Sequence, residues 1–292
     1  MMKVISTYIS AIRLLFLRWR TWLVVFGANL IFALLMIIPF EGVLHEAAAH
    51  SDAPLKGLQH FDINFIADVI NNFGPELKIW LWQLMIFVFL YLVLNIFLAG
   101  GLIESYIHLF QRFSFSQFLS NCAKHFWRLF RLALYFLGAQ IVVIILLAFL
   151  YTKLGLSPFE LDSDQQFINH NRLIFILFVV LFAWMDMVLE YAKVKLVVQN
   201  KGGFILPQLV KMKIFVLRHL FPMLLLYLLC AATFLLINWL CAQSRDLVPV
   251  SSTGTIFISI MLGQFFIFLR VGARLLFTAA ATDYLRSKVW AA

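Results

Sequence analysis

Long apolar runs, separated by shorter polar segments, recur along the whole chain of 292 residues. Six of them are about as long as the 20 apolar residues that a helix needs to cross the hydrocarbon core of a bilayer. Five of them lie at about 22–40, 79–103, 132–151, 220–243 and 255–281, and the fourth in chain order starts near Leu173 and runs past Glu190 into a polar helical end at about 199. The pattern therefore predicts an all-α, polytopic membrane protein with six transmembrane helices.

Three further segments combine polar and apolar residues with the 3.6-residue period of an amphipathic helix. They are 2–20, 114–131 and 204–219. On a helical wheel of 114–131, the polar half carries Lys124, His125, Arg128 and Arg131, and the other half is apolar. Because basic amphipathic helices of this kind lie in the membrane interface, we expect three interfacial helices beside the six spans.

Composition also indicates a chain embedded in lipid. Hydrophobic residues make up 63% of the sequence and charged residues 13%, which is about half the charged share of a soluble domain. So little polar surface cannot cover a water-soluble globule. The three cysteines, Cys122, Cys230 and Cys241, have neither metal-ligand nor disulfide spacing, and we expect them to be small apolar fillers.

The distribution of the net charge of +9 indicates a membrane topology rather than nucleic-acid binding. Of the 23 Lys and Arg residues, 16 fall on one side of the six-span layout and 5 on the other. Because basic segments stay in the cytosol, we expect both termini to be cytosolic. The interfacial segments are expected to contact anionic lipid headgroups through Arg13, Arg18, Arg20, Lys124, Arg128, Arg131, Lys211 and Arg218.

Part of this layout repeats. The intervals from Glu104 to Arg131 and from Glu190 to Arg218 span 27 and 28 residues. Both intervals show the same order of features: the end of a span, an acidic residue, a turn, an interfacial helix, an arginine and the next span. We therefore expect one transmembrane domain, 1–292, built from three pseudo-repeats at about 2–103, 104–189 and 190–281.

Three segments carry a resemblance to a known group of proteins: LAGGLIESY (98–106), FSFSQFLSNCAKHFWRLFRLAL (113–134) and VKLVVQNKGGFILPQLVKMKIFVLRHLFPMLL (194–225). The chain resembles six-span bacterial inner-membrane proteins of unknown function that are related in layout to the membrane domain of glycerophosphoryl diester phosphodiesterases. The resemblance covers about residues 5–280 and implies the six-span layout and a place in the bacterial inner membrane, but no functional residues. The sequence holds no His-Arg-Gly-type motif with metal carboxylates, so the phosphodiesterase activity is not implied.

Two pairs of charged residues fall inside predicted spans. Asp186 and Glu190 lie four apart on the fourth span, and Arg270 and Arg274 repeat that spacing on the sixth, so each pair shares a helical face. Similar depths favour two ion pairs, Asp186 with Arg270 and Glu190 with Arg274. Glu104, at the edge of the second span, is a further candidate for this cluster. A staple between helices is favoured, and a hydrated vestibule or headgroup pocket and a proton relay are the alternatives.

No catalytic motif stands out. His45 and His50 lie five residues apart, whereas the HExxH zinc motif needs its histidines four apart. Nucleophile-elbow, phosphate-loop and dinucleotide-binding patterns do not occur in the sequence. We therefore expect a non-catalytic accessory or scaffold protein without cofactor or metal, whose partners are anionic lipid and another membrane protein. The alternative is a small-solute or lipid transporter that uses the Asp/Glu–Arg cluster.

Overall fold

The computed structural model describes residues 2–49, 74–108, 112–153, 164–199, 218–246 and 253–289. These residues form seven helices and no β-strand. The helices are α1 (Met2–Leu17), α2 (Trp19–Ala49), α3 (Gly74–Ile107), α4 (Phe115–Lys153), α5 (Asp164–Gln199), α6 (Leu220–Asp246) and α7 (Thr253–Val289). The all-α prediction is confirmed.

Within the described residues, six helices are long and apolar enough to cross a membrane. The candidate spans are Trp19–Ile37, Trp82–Ile107, Phe115–Lys153, Ile174–Val198, Leu220–Ser244 and Gly254–Ser287. They overlap the six predicted runs one for one, so the chain is a multi-pass membrane protein. Large apolar side chains such as Trp82, Ile145 and Phe175 are exposed along these spans, as lipid-facing surfaces are, since lipid tails are as apolar as the side chains themselves.

Helix α4 differs from the expected layout. The amphipathic segment 115–131 and the third span form one helix of 39 residues, about 58 Å long at 1.5 Å per residue. No Gly or Pro stands between Phe115 and Leu137, so nothing interrupts the backbone hydrogen bonds where the two segments meet. The predicted interfacial helix is therefore the first part of a long helix.

The other two amphipathic segments have different outcomes. The segment 2–20 forms a separate helix, α1, which ends at Leu17 and is followed by a turn at Arg18. The prediction for 204–219 and for Lys211 falls outside the described residues, apart from the last two positions of the segment. One of these, Arg218, is exposed just before α6.

The chain divides into two compact units, Leu23–Asn95, and Met1–Trp22 together with Ile96–Ala292. In the smaller unit, Phe32 of α2 packs against Phe87 and Tyr91 of α3. In the larger unit, α7 packs against α1, α5 and α6, and α4 packs against α5. The single domain with three pseudo-repeats remains a prediction.

Small residues and one tryptophan hold α7 at the centre of the larger unit. Alanines at 273 and 279–281 are buried, and side chains of this size let neighbouring backbones approach closely. Trp22 stacks on Phe268 with 4.0 Å between the ring centroids, and its Nε1 donates to the Phe268 carbonyl oxygen at 3.0 Å. A Cβ atom at position 272 would overlap the Trp22 indole. Gly272 therefore makes room for the residue that anchors the α1–α2 turn on α7.

Candidate functional site

The end of α3 packs closely against the beginning of α4. A Cβ atom on Gly101 would lie 2.8 Å from the Phe118 carbonyl oxygen, and one on Gly100 would lie 3.0 Å from the Cβ atom of His125. Position 101 therefore needs a residue without a side chain, and position 100 has little room for one. The buried residues of α4 from Phe118 to Phe136 recur at intervals of three and four: Phe118, Cys122, His125, Leu129, Leu132 and Phe136.

Three bases surround the carboxylate of Glu104 at this junction. His108 Nε2, Lys124 Nζ and His125 Nε2 each lie 3.6 Å from one of its oxygens. The side chain of Glu104 is 13% exposed and that of His125 1%, whereas Lys124 is about half exposed. Glu104 is thus a nearly buried acid at the end of a span whose ion pairs join α3 to α4.

The helical wheel misplaces His125 and gives no partner for Glu104. The wheel assigns His125 to the polar, solvated half of 114–131, but the structure buries it because its partner belongs to α3. Glu104 itself, expected beside the charges of the fourth and sixth spans, pairs instead at the α3–α4 junction. The contact of Glu104 with His108 could have been predicted from their spacing of four residues along the sequence. Its contact with His125 depends on how α3 packs against α4 and could not.

An open cleft lies beside Glu104. Its lining consists of Arg18, Glu104, Ser105, His108, Arg112, Phe113, Ser114, Gln117, Phe118 and Asn121. The Arg18 guanidinium donates a hydrogen bond to the His108 carbonyl oxygen, so the α1–α2 turn is tied to the end of α3. Arg18 is only 9% exposed, and burial lowers the pKa of its guanidinium. The cleft therefore brings together three chain segments and is rich in hydrogen-bond donors.

The other expected headgroup contacts are more open to the surroundings. Arg13, Arg20, Lys124 and Arg131 are exposed, and Arg128 is half-buried. Two of these cations lie over tryptophan rings: the Arg20 guanidinium is 5.8 Å from the centroid of Trp19, and that of Arg131 is 5.7 Å from the centroid of Trp127. Trp and Arg together suit a membrane interface, where the rings meet apolar chains and the charges meet headgroups.

The charges on α5 and α7 form a second cluster. Glu190 accepts hydrogen bonds from Lys193 Nζ at 2.6 Å and from the Thr278 hydroxyl at 3.3 Å. Arg274 interacts electrostatically with both Asp186 and Glu190. Asp186 and Arg274 are exposed although they lie within candidate spans. The cluster therefore combines two carboxylates, an ammonium and a guanidinium at one place along α5 and α7.

The two ion pairs expected between these helices are not formed among the described residues. No nitrogen–oxygen contact of 4.0 Å or less joins Asp186 to Arg270 or Glu190 to Arg274. Lys193 takes the place of Arg274 because it lies one helical turn from Glu190 on the same helix and reaches it locally. The spacing of three residues was visible in the sequence, whereas the contact of Thr278 with Glu190 had no sequence signal.

The part of the chain that the structure describes contains no preformed metal site. No group of three or more His, Cys, Asp or Glu side chains there is arranged to hold a metal ion. The three cysteines are free and buried.

Comparisons with protein-family models, curated proteins and solved structures find no match for the chain.

Proposed function

We propose that this multi-pass protein is a non-catalytic accessory or scaffold protein of the bacterial inner membrane, with both termini in the cytosol. In this proposal it contacts anionic lipid and a partner membrane protein. The observation that carries the lipid contact is the set of exposed cations on α1, α2 and α4, two of which lie over tryptophan rings. A basic residue near an anionic membrane surface contributes about 1 kcal/mol of attraction.

The enrichment of anionic lipid around the protein tests this proposal. Full-length protein is reconstituted in nanodiscs of mixed phosphatidylglycerol and phosphatidylcholine, and the lipids that remain bound are measured by native mass spectrometry. A fourfold variant (Arg13→Gln, Arg20→Gln, Lys124→Gln and Arg131→Gln) is compared with a double variant at the other ends of the spans (Lys153→Gln and Arg172→Gln).

We expect phosphatidylglycerol to be enriched around the wild-type protein and the double variant, but not around the fourfold variant. The enrichment should weaken at high salt because ions screen exposed charges. Equal retention of both lipids by the wild-type protein at low salt would refute the proposal.

The exposure of Asp186 and Arg274 within candidate spans favours a second function, transport of a small solute or a lipid. A charge at the centre of a bilayer costs about 3 kcal/mol or more unless it is paired or hydrated. In a transporter these side chains would line a hydrated path, and Glu190 and Lys193 would lie beside it.

Measuring whether water reaches position 186 distinguishes the transporter from the scaffold. Asp186→Cys is labelled with a membrane-impermeant thiol reagent, and Val179→Cys, at an exposed apolar position of the same helix, serves as the control. The three native cysteines are buried and contribute little background. Fast labelling at 186 with slow labelling at 179 is the expected result for a hydrated path, and equally slow labelling of both would exclude it.

A further inference from the structure

We propose that the cleft between the α1–α2 turn, the end of α3 and the start of α4 binds a terminal phosphate group carried by a phospholipid headgroup. This inference rests on the proposed contact with anionic lipid and assigns it a defined site. It differs from the exposed cations described above because the ligand would enter between chain segments rather than meet separate exposed side chains.

The charge of the cleft favours an anion. Two guanidiniums, those of Arg18 and Arg112, line it together with one carboxylate, that of Glu104. That carboxylate lies 3.6 Å from Lys124 and from two imidazoles, so the Lys124 ammonium offsets its negative charge. Arg112 is exposed and its side chain can turn towards a ligand. Guanidinium groups bind phosphate oxygens through paired, charge-assisted hydrogen bonds.

The first turn of α4 adds a second source of positive potential. The helix begins at Phe115, and its first turn contains no acidic side chain that would offset the positive end of the helix dipole. Free backbone N–H groups at such an end bind phosphate. Ser114 and Gln117, which line the cleft at this end of the helix, supply further polar groups.

The surroundings of the cleft favour a phosphate attached to an apolar body. Phe115, directly after Ser114, is 56% exposed, and Phe113 lines the cleft itself. A soluble anion gains nothing from these rings, whereas the glycerol and acyl groups of a lipid would pack on them. A phosphate monoester carries about 1.5 to 2 negative charges near neutral pH, which matches two guanidiniums better than a phosphodiester does.

Binding of short-chain lipids to the full-length protein tests the site. Dioctanoyl phosphatidic acid carries the monoester and dioctanoyl phosphatidylglycerol the diester, while inorganic phosphate represents a free anion. Apparent Kd values are obtained from the dependence of Tm on ligand concentration in an uncharged detergent. Arg112→Gln removes an exposed guanidinium of the cleft, and Arg172→Gln is the matched control, an exposed arginine on α5 near the opposite ends of the spans.

We expect Arg112→Gln to weaken phosphatidic acid binding about tenfold, as the loss of one charged hydrogen-bond partner does, and Arg172→Gln to leave it within about twofold. Phosphatidylglycerol and inorganic phosphate should bind more weakly than phosphatidic acid. Equal Kd values for the two variants would overturn the site. Inorganic phosphate that binds as tightly as phosphatidic acid would overturn the lipid as its ligand.

The two proposals can fail separately. If the fourfold variant loses phosphatidylglycerol enrichment in nanodiscs while Arg112→Gln leaves phosphatidic acid binding unchanged, the general lipid contact stands and the cleft site is wrong. If phosphatidic acid binding depends on Arg112 while the nanodiscs show no anionic enrichment, the cleft site stands and the general contact is wrong.

Discussion

Gly101 controls how closely α3 approaches α4. We expect Gly101→Ala to lower the free energy of unfolding by about 1–3 kcal/mol, the usual cost of overpacking, because the new Cβ atom would lie 2.8 Å from the Phe118 carbonyl oxygen. That oxygen belongs to the backbone and cannot turn away. Thermal unfolding in detergent gives the measurement.

Gly138 provides the matched control, since no atom lies within 4 Å of a Cβ atom built there. Gly138→Ala should leave Tm unchanged or raise it, because alanine favours a helix by up to about 1 kcal/mol over glycine. Equal Tm values for the two variants would show that the α3–α4 contact is looser than described.

Glu104 is the second residue on which this junction depends. Glu104→Gln removes the negative charge that faces Lys124, His108 and the buried His125. We expect a loss of about 1–3 kcal/mol in unfolding free energy, since contacts of polar groups with a charged partner stabilise more than contacts with a neutral amide. Lys124→Gln should cost less than about 1 kcal/mol because its side chain is half exposed and water screens the pair. Thermal unfolding of both variants checks the order, and a larger loss for Lys124→Gln would contradict it.

At the scale of elements, the continuity of α4 leads to a distance that can be measured. Ser116 and Ile145 are both exposed and lie 29 residues apart, close to eight full turns of a helix. Spin labels at the two positions should therefore be about 43 Å apart if α4 is straight. A right-angle bend near Arg131, as an in-plane helix followed by a span requires, would shorten the distance to about 31 Å. Double electron–electron resonance distinguishes the two values.

The same helix shows how far the sequence predicts the structure. The six spans follow from run length alone, because a bilayer needs about 20 apolar residues whatever their order. The sequence did not predict that 115–131 and the third span form one continuous helix. An amphipathic pattern predicts that a helix has a polar face, but not how the helix is oriented in the membrane. The wheel equates polarity with exposure and therefore places His125 in solvent, whereas Glu104 on another helix stabilises it in a buried position.

For the charges on α5 and α7, residue spacing along one helix predicts the observed contact of Glu190 with Lys193. The similar depth of residues on two different helices does not predict a contact between them. Glu190 and Lys193 lie one turn apart on one helix, and the packing of α5 against α7 is not needed for their contact. The expected pair of Asp186 with Arg270 required the two helices to present the right faces to each other, and a sequence pattern does not specify that rotation. The Nε atom of Arg270 is instead buried without a hydrogen-bond partner.

At the scale of the whole molecule, we expect both termini on one side of the membrane, because the candidate spans among the described residues number six, which is even. The bias of 16 basic residues to 5 favours the cytosol as that side. Green fluorescent protein fused after Val289 should therefore be fluorescent, because it folds in the cytosol, and alkaline phosphatase fused there should be inactive. Phosphatase fused after Lys153, past three spans, should be active. An active phosphatase at Val289 with an inactive one at Lys153 would mean that the charge bias fails to set the topology, whereas activity at both positions would mean that the number of spans is wrong.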